Sequence, residues 1–168
     1  MRLKLQNMDT IKINRNVDPG IYGIEDIFVG LKQVEVLQKV FGSDNELDDV
    51  FFKTKVVVDT NTHYMHVKND DAIIVVALNH LKNSDSVTLY LDIVHELVHV
   101  KQQRQGLDLY DESYSYVDRP TEIEAYIVAV EEAKRLGMED EKIMDYLQVE
   151  WISSDEHKRL ATHVGILS

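Results

Sequence analysis

The chain has no cysteine, which removes disulfides and thiolate metal sites from consideration. Two prolines and seven glycines are too few for a fibrous or low-complexity chain. Long hydrophobic runs are missing too. The longest, Ala72 to Leu78, is strand-sized, and nothing approaches the roughly 20 apolar residues of a membrane-spanning helix. Met1-Arg2-Leu3-Lys4-Leu5-Gln6 lacks the apolar core of a signal peptide, so a cytoplasmic protein is expected. Basic residues are scarce: 18 Lys and Arg stand against 30 Asp and Glu, a net charge of -12. Phosphate binding needs clustered cations, so nucleic acid and anionic membrane surfaces are disfavoured as partners. The acidic surplus serves solubility first and would also suit a basic partner. No feature specifies an oligomeric state.

What is present reads as one α+β domain over residues 1–168. Leu3 to Asn14 alternates in part and suggests a short hairpin or edge strand. Ile24, Ile27, Phe28, Leu31, Val34, Leu37 and Phe41 recur at three- and four-residue spacing, which predicts an N-terminal helix ended by Gly42. Asp44 to Asp49 reads as an acidic loop. Three strands are expected at Thr54–Asp59, His63–Val67 and Ala72–Leu78, joined by hairpin-type turns into a small antiparallel sheet. A helix follows from about Val87 to Gln105, with Ser86 as its N-cap and Gly106 as its stop. Pro120 and Thr121 open another that ends at Gly137. Two C-terminal helices, near Glu139–Leu147 and Ser154–Val164, complete the chain.

The chemistry lies in His95-Glu96-Leu97-Val98-His99. Four residues are slightly more than one helical turn, so the two imidazoles share a face and can converge on one cation. Glu96 lies about 100° further round the helix, placed to take a proton from a metal-activated water. Two ligands and an adjacent base follow the logic of the HExxH signature.

A catalytic zinc site has three protein ligands, so one more must come from elsewhere. No third histidine follows closely; Gln102, Gln103 and Gln105 stand there instead. The next helix offers Glu122 and Glu124. Glu122 shares its face with Ala125, Tyr126, Ala129 and Ala133, small residues that let another helix approach. Glu124 shares a face with Val128, Glu131 and Arg135, and Thr121 to Glu124 fits a capping box. Glu122 is the favoured ligand.

The combination of His95, Glu96 and His99 with Glu122 resembles the gluzincins, the HExxH-plus-glutamate branch of the zincin metallopeptidases. It is similar to the minimal gluzincins and to protease domains of the ImmA/IrrE type. The likeness is at the level of motifs, over roughly Ala72 to Leu136. It implies a zincin-like fold: an N-terminal helix, an antiparallel sheet with Ala72–Leu78 as the substrate-aligning edge strand, an HExxH helix, a glutamate helix and C-terminal helices. It also implies peptide-bond hydrolysis of a peptide or protein substrate, with Zn2+ on His95, His99 and Glu122 and Glu96 as general base. Relatives often carry Asp or Asn four residues after the glutamate ligand, where it supports a ligand histidine; this chain has Tyr126. A zinc-binding regulatory or protein-interaction module without turnover is the alternative.

Other residues attract less weight. Tyr110, Tyr114 and Tyr116 lie between the two metal helices, where one could stabilise an oxyanion. Tyr126 shares a face with Glu122 and is a further catalytic candidate. His63 and His66, three apart on an expected strand, should point to opposite faces. His80 could approach a substrate, Asp92 could orient a ligand, and Arg119 could bind a carboxylate. His157 and His163 read as surface residues and Trp151 as core.

Overall fold

The computed structural model describes residues 11–69 and 72–168. In chain order its elements are β1 (Lys12–Ile13), β2 (Gly20–Gly23), α1 (Ile24–Ile27), β3 (Phe28–Val29), α2 (Glu35–Phe41), α3 (Asp44–Lys53), β4 (Lys55–Asp59), β5 (Met65–Val67), β6 (Ile73–Ala77), α4 (Leu78–Asn83), α5 (Ser86–Arg104), α6 (Pro120–Arg135), α7 (Asp140–Leu147) and α8 (Ser154–His163). Single 3-10 turns occupy Leu31–Gln33 and Tyr116–Asp118. The class is α+β, as expected.

The sheet is mixed rather than antiparallel. Its order is β2-β4-β6-β5; β4 and β6 run parallel, and the two outer pairs run antiparallel. The reason lies in β6, where Ile74, Val75, Val76 and Ala77 are all buried. A strand covered on both faces is a continuous apolar run, the mark of an interior strand in parallel pairing. The Ala72–Leu78 run is therefore interior, and the edge beside α5 is β5 instead. Asp59 to Thr62 closes no hairpin, because β6 separates β4 from β5. The second expected turn is partly outside the described residues, at Asp70 and Asp71. So are Leu3 and Leu5 of the N-terminal stretch, whose Lys12–Ile13 pairs with Phe28–Val29.

The helix expected from Ile24 to Phe41 is broken. Gly30 adopts φ 87°, a left-handed conformation that glycine takes without steric cost, and the chain turns there. All seven apolar residues of the pattern are nevertheless buried. Short turns return side chains to the core about every third residue, as one long helix does. The acidic stretch from Asp44 is no loop but the start of α3. Ser43 accepts from the Glu46 amide at 3.2 Å, and Asp44 and Glu46 in the first turn suit the positive end of the helix dipole.

Helix α5 is the spine of the molecule. Its cap is Asp85 rather than Ser86, with Oδ1 accepting from the Thr88 amide at 2.8 Å. Leu89, Leu91, Ile93, Val94, Leu97 and Val100 are fully buried around its circumference, so it is covered on all sides. Helix α6 runs antiparallel to it, as the pairs Gln102–Thr121, His95–Glu122 and Tyr90–Glu132 require. Ala125, Ala129 and Ala133 are fully buried on α6 and let the helices approach closely. The capping box expected from Thr121 to Glu124 does not form. Pro120 opens the helix, and Arg119 at the cap position makes no side-chain bond to it.

Candidate metal centre

Three donor atoms meet between α5 and α6. His95 Nε2 lies 3.0 Å from His99 Nε2 and 3.1 Å from Glu122 Oε2, and His99 Nε2 lies 3.3 Å from the same oxygen. All three residues are buried. The convergence follows from helix geometry: the histidines are one turn apart on α5, and the small face of α6 brings Glu122 against them. Glu124 points elsewhere, to Gln102 at 3.2 Å and Lys101 at 4.0 Å.

The donor set has the shape a cation needs. Tetrahedral ligands at roughly 2.0–2.1 Å from an ion stand about 3.3–3.4 Å apart, close to the triangle seen here. Three such atoms facing one another in a buried site need either shared protons or a cation between them. His95, His99 and Glu122 could therefore hold a metal ion.

Protonation follows the same pressure. Burial works to raise the Glu122 pKa, but hydrogen bonds from both imidazoles outweigh it and hold the carboxyl well below the usual range. Burial pushes His95 down. Burial also opposes charge on His99, but Glu122, Glu96 and Gln102 overcome it, and the ring is pushed up to about 9. Glu96, buried in the cleft wall, is pushed up to about 8 by burial, although a hydrogen bond from the Val67 amide opposes the rise.

Gln102 is the site residue that sequence reasoning missed. Its Nε2 donates to Thr121 O at 2.9 Å and to Glu124, so its Oε1 must accept from His99 Nδ1 at 2.7 Å. With Nδ1 committed to Gln102, Nε2 is the nitrogen left to face Glu122 and, once deprotonated, to ligate a cation. One side chain thus orients a ligand and ties α5 to the first turn of α6. Its signal in the sequence is slight: a glutamine three residues after His99, on the same face.

His95 has no matching support. Among the described residues its buried Nδ1 has no hydrogen-bond partner. Its ring packs edge-on against Tyr126, with centroids 4.3 Å apart. Tyr126 is buried, its hydroxyl bonded to that of Tyr116 at 2.8 Å, and Tyr116 is the member of the pair that lines the cleft. Asp92, three residues before His95 on α5, is engaged by His80 at 2.7 Å and Tyr146 at 3.1 Å.

The cleft over the triad has a volume of about 690 Å³. His63 and His66 both line it, contrary to strand alternation, because β5 starts only at Met65 and Tyr64 turns the chain with φ 58°. Trp151 is not core: it is 52% exposed and forms part of the cleft wall. Tyr110 and Arg119 line the cleft as well, whereas Tyr114 is exposed. His163 pairs with Asp118, and His157 with the Met144 carbonyl. Strand β5 offers its free edge to the cleft. Tyr64 O and Lys68 N bond to β6, so the Met65 and Val67 backbone groups face the other way. Val67 is already engaged: its carbonyl accepts from the Tyr110 hydroxyl at 2.5 Å, and its amide donates to Glu96.

Comparison with known protein families, with curated proteins and with solved structures finds no match to this chain. Among the described residues, no helix is long and apolar enough to cross a membrane.

Proposed function

We propose that this chain is a zinc-dependent metallopeptidase of the gluzincin type. The observation that carries the reading is the buried triangle of His95, His99 and Glu122 with Glu96 beside it on the cleft wall. An all-nitrogen-and-carboxylate donor set of three, without thiolate, is the chemistry of a catalytic zinc site. Bound zinc supplies Lewis acidity, lowering the pKa of water and polarising a carbonyl. Glu96 takes the proton of the attacking water and passes it to the leaving amine. The Val67 amide, next to Glu96, favours its carboxylate form. An extended peptide pairs with the Met65 backbone at the open edge of β5, in the manner of strand addition. Tyr126 acts as a positioning residue through its packing on His95 and leaves contact with substrate to its neighbour Tyr116.

One observation favours a second reading. The unpartnered Nδ1 of His95 leaves that ligand with weak support, which suits a zinc-binding module without turnover. Glu96→Gln separates the two. The peptidase reading expects one zinc per chain in both proteins and a loss of peptide hydrolysis of about 10²–10⁴-fold in the variant. Equal cleavage by both proteins, or a wild type that takes up no zinc, overturns it.

A further inference from the structure

The metal cleft does not end at the triad. It meets a second cavity of about 1170 Å³ lying between the start of α5 and helix α7, and Tyr64 and Glu150 line both. Tyr64 is the one described residue other than glycine with positive φ, at 58°. A bulky residue holds that conformation only when its surroundings fix it, at a cost of order 1–3 kcal/mol. Here the ring is held between two aromatic neighbours. It packs edge-on against His80 and tilted against Trp151, each at 5.5 Å, and the nearby Glu150 carboxylate raises the pKa of its hydroxyl. Trp151 contacts Tyr116 in turn, at 5.4 Å. The strained residue thus builds a wall of exposed aromatic surface with a carboxylate at its edge, directly beside the metal centre.

Charge selects the occupant. Tyr116 already faces a cation of the protein itself, with the Arg119 guanidinium 6.0 Å from its ring. Trp151, the strongest cation-binding ring type, is half exposed and stands next in sequence to Glu150. Beyond it the second cavity is lined by Asp85, Asp92, Glu139 and Asp145 against Lys142 and Arg135, and these two cations are paired with Asp145 and Glu132. The cleft therefore carries the cation of Arg119 over Tyr116 and, where it meets the second cavity, the carboxylate of Glu150. We infer that this cleft selects peptides carrying an arginine or lysine, whose side chain lies on Trp151 with its charge against Glu150. The inference rests on the metallopeptidase reading for any cleavage after binding, but binding itself can be measured separately.

Trp151 is the only tryptophan in the chain, so its fluorescence reports on the subsite directly. The full-length, zinc-loaded Glu96→Gln protein is titrated with blocked pentapeptides that differ only at one central residue: arginine, lysine, norleucine, phenylalanine or glutamate. Saturable emission changes are expected for arginine and lysine, with affinity at least about tenfold above the neutral and acidic peptides. Adding Glu150→Gln should remove about that factor for the basic peptides and leave the norleucine peptide unchanged. Glu150 is exposed, so this variant tests charge rather than folding. Equal affinity across the series, tighter binding of phenylalanine, or no effect of Glu150→Gln overturns the subsite. A wild type that cleaves neutral peptides without charge preference overturns it while sparing the peptidase reading. Charge-selective binding with no cleavage by wild type supports the subsite and defeats the peptidase reading.

Discussion

Gln102 touches both halves of the candidate metal centre, and its consequences can be measured. It is fully buried, accepts from His99 and donates to the backbone of α6. Removing such an outer partner typically weakens metal affinity about 10–100-fold. Gln102→Ala is expected to do so, read by competition with a zinc chelator, and Gln102→Glu should recover much of the loss because a carboxylate also accepts from Nδ1. An unchanged zinc affinity in both variants would remove Gln102 from the centre. At this scale His95, Glu96, His99 and Glu122 are legible in the sequence, because spacing on one helix and small residues on the next determine who faces whom. Gln102 and Trp151 are not legible. The first acts on a segment 19 residues further along the chain. The second is an aromatic side chain whose burial is ordinarily the rule, here left in the cleft by a turn between α7 and α8.

The pairing of α5 with α6 sets the positions of the donors. Ala129 is fully buried on the α6 face that carries Glu122. Ala129→Leu adds volume where none is free, which costs about 1–3 kcal/mol by overpacking and forces the helices apart. Its expected signature is a lower unfolding midpoint together with weakened zinc binding, whereas Glu131→Leu on the outer face should change neither beyond about 0.5 kcal/mol. Equal zinc affinity in Ala129→Leu and wild type would show that helix spacing does not control the centre. The long helices are legible because starts and stops bracket them: Gly106 ends α5, and Pro120 and Gly137 bound α6, while the α5 cap falls at Asp85, one residue before the expected Ser86. Strand pairing is less so. Alternation marks where strands lie, but partner and direction come from long-range contacts, and only the two-sided burial of β6 hints at its interior place. The segment from Ile24 to Phe41 fails for a different reason: three-residue spacing fits 3-10 turns and short helices as well as one long helix, and Gly30 decides between them.

Across the whole molecule, the cleft depends on loops held at a distance. The turn that leads into α6 is clamped to α8, where Arg159 contacts Asp118 at 2.9 Å and His163 contacts it at 3.0 Å. The hydrogen bond from Arg159, then those from Ser115 and His163, hold the Asp118 carboxyl well below the usual range. A depressed carboxylate stabilises the fold fully above its unfolded pKa of about 3.9, and that contribution fades as pH falls toward the folded value. Arg159→Met should therefore unfold at lower urea than wild type between pH 5 and 8, roughly, and the gap should close toward pH 2–3. A gap independent of pH would assign the loss to packing instead. The clamp is exposed and the effect will shrink with added salt.

His95 rests against an aromatic ring where a carboxylate would have made it a stronger electron donor. An imidazole so held would release a bound cation sooner, and the proposed site would then fill and empty with the surrounding concentration. Under the proposed peptidase reading the molecule would be a dimmer rather than a fixed lamp: its activity would rise and fall with the ambient supply of the ion, with no inhibitor needed to turn it down.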